Sequence, residues 1–449
     1  MKRSLLFLVI LVLLLAGCAE KKLPVTPDTA LSSYLSTNDD AYFWETKESY
    51  DYEGLKVYGI KLTSQVWRDI KWTHQLAVIV PPEINSNSAL LFITGGSNKD
   101  SEPNWKDKND GLLKMLAVLA AKNKAIVAIL RQVPNQPLYG DLTEDALRTY
   151  TLDKFKADRD FTWPLLFPMV KSAISAMNCV QEFSAKDLNK PIEHFVISGA
   201  SKRGWTTWLT GSQDKRVIAI APMVIDVLNM PVNVEYQKKV WGDYSVEIQD
   251  YVRLGIAQSL STPEGSELAT MIDPYSYRET LTMPKLVFMG TSDPYWPADA
   301  VKNYLPEIPG DNHIHYEPNV GHDLGDGVNA MKALSAFFNL SIYGKPVPVC
   351  KWIAGSDSTG IEITVTASPE LITANLWMAD SPDQDFRNET YGATPVKYID
   401  PSEIVVKIDY PATGYRAFYL ELVYPDPVEG QYSITTRMFV ANTTTLFLD

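Results

Sequence analysis

The stretch HFVISGASKRGWTTWLTGSQDKR, residues 194–216, decides how the chain is read. It opens on an apolar run suited to a buried strand, passes through Gly199, Ala200 and Ser201, and continues into WTTWLTGS, which has helical character. A serine at such a strand-to-helix turn presents its hydroxyl above the end of a sheet, beside the next backbone N–H. A serine in an ordinary tight turn would have similar neighbours. The glycine often found two places beyond a nucleophilic serine is absent: Arg203 stands there, and Gly204 comes one later. The reading therefore depends on partners supplied by later segments of the chain.

An acid and a histidine come later, in the order that an α/β hydrolase requires, each after a predicted strand. LVFMGTSDPYW places Asp293 just beyond an apolar run, and IHYEPNVGHDL places His322 after the next strand. Alone, Asp293 reads as a turn residue before Pro294 and His322 as a loop or cap histidine. Together with Ser201 they form a nucleophile, an orienting acid and a base. Serine is a poor nucleophile at neutral pH, so a histidine must take its proton, and a carboxylate must fix the imidazole tautomer. Asp226, after AIAPMVI, is the rival acid, one strand earlier. The expected oxyanion donors are the backbone N–H of Lys202 and that of Gly96 or Ser97 in the TGGS turn.

The flanking sequence alternates strands and helices. LKVYGIKLTSQVW (55–67) and HQLAVIVPP (74–82) read as an antiparallel hairpin, ALLFITGG (89–96) as a buried strand, and GLLKMLAVLAAKN (111–123) as a helix. With the runs at 125–134, 162–183, 216–224, 284–296 and 312–319, this predicts a mostly parallel sheet covered on both faces over 40–342. Residues 227–280 break the rhythm and read as a helical lid insertion over Ser201. Most of its aromatic residues are better explained as its own core. Arg203, Trp241 and Tyr295 are candidate substrate contacts; Arg203 has the alternative role of bracing the turn through a carboxylate. From 350 to 449, strands with period two and proline-bearing turns predict an all-β, sandwich-like domain.

The chain has 449 residues and a formal net charge of −13, with no long basic run, which argues against nucleic acid as a partner. Residues 1–17 carry Lys2, Arg3 and an apolar stretch too short for a comfortable membrane span. They end at LAGC (15–18), which resembles a lipoprotein processing box and predicts Cys18 as a lipid attachment point in a bacterial envelope, on the outer membrane or cell surface. Residues 18–39 then read as a tether. Cys179 and Cys350 are far apart and are expected to stay reduced, and the five histidines have no convincing metal spacing. No cofactor is expected.

The blocks SGASKRGWTTW, IDPYSYRETLTMPKLVFMGTSDPYW and VGHDLG, in that order, resemble the PhoPQ-activated pathogenicity-related protein family, over roughly residues 30–445. The resemblance implies an α/β-hydrolase core with Ser201, Asp293 and His322 as its constellation, and a secreted or envelope location. It is also similar around the serine to glucuronoyl and related carbohydrate esterases. It leaves the substrate open among small-molecule, peptide and carbohydrate esters or amides. It also leaves a second reading, a binding or signalling protein without turnover.

Overall fold

A computed structural model describes residues 24–38 and 40–449. The expected signal peptide and Cys18 lie outside the described residues. The core sheet comprises β1 (Phe43–Tyr52), β2 (Leu55–Trp67), β3 (Ile70–Val80), β4 (Ser88–Ile93), β5 (Val127–Leu130), β6 (His194–Ala200), β7 (Val217–Met223), β8 (Lys285–Gly290) and β9 (Asn312–Glu317). Their order is β1-β2-β3-β5-β4-β6-β7-β8-β9. The first three strands are antiparallel, and from β5 to β9 every pairing is parallel. SALLFI and VAIL are buried at every position. Continuous apolar runs of this kind belong to strands with both faces covered.

Helices cover both faces. Gly111–Asn123 and Val328–Ile342 pack on one, with Leu116, Leu119, Leu334 and Phe337 in a shared apolar core. Leu166–Asp187 and Lys202–Gln213 pack on the other, around Phe167, Met177, Trp205 and Trp208. The helix at 111–123 starts where Asp110 accepts a hydrogen bond from the Leu113 N–H at 2.9 Å. The arrangement is that of an α/β hydrolase.

Two features add detail to the sequence reading. The predicted tether at 18–39 contains the helix Pro27–Leu35, docked through buried Ala30, Leu31 and Tyr34, whose hydroxyl donates to Gln65 Oε1 at 2.6 Å. A short apolar stripe within a polar segment is enough to hold it once a surface is available. The β-rich region after residue 350 forms two sheets whose facing side chains, among them Ile363, Val365, Leu420 and Leu422, share an apolar core. One of these sheets is continuous with the core sheet: strand Gln431–Thr435 pairs antiparallel with β9, so the region extends the main sheet. Without it, β9 would be an open edge. The helical insertion at 227–280 is present, with helices at Met230–Trp241, Gln249–Arg253, Ile256–Ser259 and Pro263–Ile272. No described helix is long and apolar enough to cross a membrane.

Candidate active site

Ser201 sits between β6 and the helix Lys202–Gln213 with φ 57° and ψ −125°, a conformation strained for any residue with a side chain. The turn is pinned from both ends: the Ser201 N–H donates to Met223 O and its carbonyl accepts from the Trp205 N–H, both at 2.9 Å. Gly204 explains why this turn tolerates a shifted glycine. A Cβ there would lie 2.7 Å from Ile225 Cγ2 and 2.8 Å from Met223 O, so the close approach of helix to sheet falls at 204 instead of 203.

Arg203 is thereby free for another task. Its Nη1 and Nη2 donate to the two carboxylate oxygens of Glu144 at 2.9 and 2.8 Å, and its Nε donates to Val133 O at 2.5 Å. A bidentate clamp of this kind fixes orientation as well as charge. Arg203 thus braces the turn through a carboxylate, and it is not among the residues lining the cavity beside Ser201. Burial alone would raise the Glu144 carboxyl, but the hydrogen bonds and charges of Arg203 and Lys202 hold it well below the usual carboxylate range.

The other two residues come from the carboxyl ends of neighbouring strands, Asp293 after β8 and His322 after β9. Backbone bonds lock these loops together: Thr291 N–H to Glu317 O at 3.1 Å and Ser292 N–H to Val320 O at 3.0 Å. Gly290 lets them touch, since a Cβ there would be 2.4 Å from Gly321 O. Asp293 Oδ2 accepts from His322 Nδ1 at 2.8 Å, and its Oδ1 accepts from the Tyr295 N–H at 2.9 Å. His322 Nε2 is buried and has no hydrogen-bond partner among the described residues. The Tyr295 ring lies over the imidazole, centroids 4.2 Å apart.

Ser201, His322 and Tyr295 line one cavity. Its walls are otherwise largely aliphatic and come mostly from the insertion: Val227, Met230, Val234, Ile248, Ile256 and Leu260. Tyr251 is the insertion's one aromatic contribution. Trp241 is not among these lining residues, and the Arg387 guanidinium lies 4.1 Å from its ring centroid. It is held by the β-rich region.

Asp226 lies after β7 in a smaller adjoining space shared with Asp293 and Trp296. It does not bond His322, and its Oδ1 has no partner among the described residues. Burial, reinforced by the nearby charges of Asp293 and Asp299, raises its pKa to about 7. Lys202, as the first helical residue, leaves its N–H free of an intrahelical acceptor. Gly96 and Ser97 follow β4; Gly96 has φ +147° and Ser97 O accepts from the Asn104 N–H at 2.9 Å. Neither is among the cavity's lining residues.

Of the remaining histidines, His74 is buried between Ser64 Oγ and Arg131 O, each at 2.9 Å, and burial lowers its pKa to about 4. It is structural. Cys179 and Cys350 are both free thiols. No cluster of metal-ligating side chains occurs among the described residues. The residues that sequence reasoning missed are Glu144, Asp145 and Arg148, on the helix Glu144–Asp158, which reaches the site from a stretch with no distinguishing pattern.

The family model described as PhoPQ-activated pathogenicity-related protein matches residues 31–387. Autocrine proliferation repressor protein A of Dictyostelium discoideum is 31% identical, over 92% of this chain and 90% of its own length. Among solved structures, acetyl xylan esterase 1 of Thermoanaerobacterium is 18% identical with a TM-score of 0.48, covering 71% of this chain and 94% of that one. The acylaminoacyl peptidase of Pyrococcus horikoshii is 13% identical with a TM-score of 0.41, covering 70% and 51%.

Proposed function

Because the chain belongs to the PhoPQ-activated pathogenicity-related protein family, we propose a function for the site that this family's fold presents in it: a serine hydrolase that cleaves an ester or amide. Ser201 is the nucleophile, His322 the general base and then general acid, and Asp293 the orienting acid. His322 Nδ1 donates to Asp293, which leaves Nε2 as the atom able to accept the Ser201 proton. Serine Oγ attacks the carbonyl and an acyl-enzyme forms as the leaving group takes the proton from Nε2. Water then repeats the sequence and releases the acid. Negative charge on the carbonyl oxygen is met by the Lys202 N–H and one from Gly96 or Ser97, in the positive field of the helix amino terminus.

The observation that carries this reading is the imidazole's asymmetry. One nitrogen is bonded to a buried carboxylate, while the other is buried, unpartnered among the described residues and on the wall of the cavity that Ser201 also lines. A buried polar atom left open has a cost that a structural histidine would avoid.

The test is fluorophosphonate labelling with mass mapping of the labelled residue, beside a panel of acyl esters, sugar-acid esters and aminoacyl amides. Label on Ser201, lost in Ser201→Ala and His322→Ala, together with Ser201-dependent turnover, is the expected result. Folded wild-type protein that neither labels nor turns over any of the panel faster than Ser201→Ala would move the assignment to binding or signalling without turnover. We assign the protein to the bacterial envelope through Cys18. Cys18→Ser should release it from membranes, and unchanged membrane attachment with unchanged processing would refute lipidation.

A further inference from the structure

The cavity beside Ser201 is apolar except at one place. Arg148 lines it and is 6% exposed. Its Nη2 donates to Asp145 Oδ1 at 2.5 Å, whereas Nε and Nη1 have no hydrogen-bond partner among the described residues. The guanidinium carbon lies 4.7 Å from the Trp205 ring centroid and 5.3 Å from that of Tyr251, which holds the side chain in place. The Tyr251 hydroxyl, on the same wall, is buried and interacts with the Arg148 guanidinium without closing a well-formed hydrogen bond to it. Buried donors are nearly always satisfied, and a charged group left with two open donors is costlier than a neutral one.

The local charge balance points the same way. Arg148, Lys202 and Arg203 bring three positive charges to this helix-to-elbow junction. Glu144 and Asp145 bring two negative ones: Arg148 Nη2 lies 2.5 Å from Asp145, Lys202 Nζ lies 2.7 Å from Glu144 and 3.6 Å from Asp145, and Arg203 is clamped on Glu144. Asp293 is committed to His322. Three cations therefore share two carboxylates, and Arg148, although paired with Asp145 through Nη2, keeps Nε and Nη1 open beside the cavity. Burial first, and then the charge of Arg148, lowers the Lys202 pKa, as a surplus of positive charge should.

The geometry points to Arg148 as the residue that selects an anionic substrate, an ester or amide bearing a carboxylate near the bond to be cut, with Tyr251 as an auxiliary donor. This deepens the hydrolase reading and rests on it. The carboxylate supplies a third negative charge to the three cations and fills the open donors, while the aliphatic walls take the carbon skeleton. An uncharged analogue would leave the excess positive charge uncompensated and the open Arg148 donors unfilled, and that is the physical basis of the selection.

The test uses the full chain carrying Ser201→Ala, so that binding is read without turnover. Calorimetric titration compares monomethyl succinate (carboxylate on the acyl side) with dimethyl succinate, and acetoxyacetate (carboxylate on the alcohol side) with its methyl ester. At least one anion should bind roughly 10- to 100-fold more tightly than its neutral ester, the range of a hydrogen bond to a charged group. Which anion does so assigns the side of the scissile bond. The preference should vanish in Ser201→Ala/Arg148→Met and survive in part in Ser201→Ala/Arg148→Lys. Equal binding of each anion and its neutral ester in Ser201→Ala, or no detectable binding of either anion, overturns the proposal without any Arg148 variant. So does a preference that persists in a folded Arg148→Met protein. An intact charge preference alongside a wild type that turns nothing over would sink the hydrolase reading and leave Arg148 as an anion-binding residue only.

Discussion

Asp293→Asn separates an orienting carboxylate from a merely structural one. The Tyr295 N–H, 2.9 Å from Oδ1, needs an acceptor, so an asparagine would place its carbonyl oxygen there and turn its NH2 toward His322 Nδ1. Nδ1 would then have to accept instead of donate, and the ring proton would move to Nε2. A protonated Nε2 cannot take the serine proton. The fold loses only one charge-assisted hydrogen bond for a neutral one, about 1–2 kcal/mol, and should survive. The wrong tautomer should lower kcat by about 10³–10⁴-fold, ~4–5.5 kcal/mol of barrier, with KM little changed. The assay is steady-state hydrolysis of whichever ester the panel selects, with circular dichroism to verify folding. A folded Asp293→Asn enzyme within roughly threefold of wild type would refute the assignment, and collapse in Asp226→Asn alone would transfer the role.

Two further outcomes concern Asp226 and the strained turn. Asp226 has a folded pKa of about 7 against an ordinary value of 3.8, so it binds a proton more tightly when folded. Its contribution to stability is full below pH 4 and is lost as pH rises toward and through 7. Asp226→Asn should remove that loss, on the order of a few kcal/mol, and raise the melting temperature at pH 8 while changing little at about pH 3.5, below the ordinary value; equal effects at both would contradict the buried-acid account. Ser201→Gly should be inactive yet more stable than Ser201→Ala by about 1 kcal/mol in denaturant titrations, because glycine relieves the strained φ and ψ at a smaller entropic cost. A less stable glycine variant would mean that the turn holds no strain.

Much of this was legible in the sequence because strand ends are local. Apolar runs at 194–200, 284–290 and 312–317 fix where the loops begin, and residues just after them share one end of a parallel sheet. Ser201, Asp293 and His322 could be read in that way. Arg148 could not: it stands on a helix, and its place in the cavity depends on the insertion carrying Tyr251 and on Asp145 three residues before it. Arg203 was open between two roles because only the fold brings Glu144 to it, 59 residues away in the chain. The docked helix at 27–35 was hidden for a related reason. Three buried residues in nine give little periodic signal, and their partner surface is built from distant segments. Which strand would meet the free side of β9 was likewise undetermined, since several of the later strands alternate in the same way.

That last pairing has a consequence in time. Thr435 Oγ1 donates to Ile314 O across 121 residues of chain. At synthesis rates of roughly 5–20 residues per second, roughly 6 to 24 seconds separate the two partners. Throughout that interval β9 has emerged with one row of backbone donors and acceptors unmet, a template that any other extended chain could occupy. The last strands of the chain therefore act as an internal guard on the sheet, and their arrival sets when the molecule ceases to be sticky. Loss of residues 431–435 should show itself first in soluble yield, and only afterwards in anything done at Ser201.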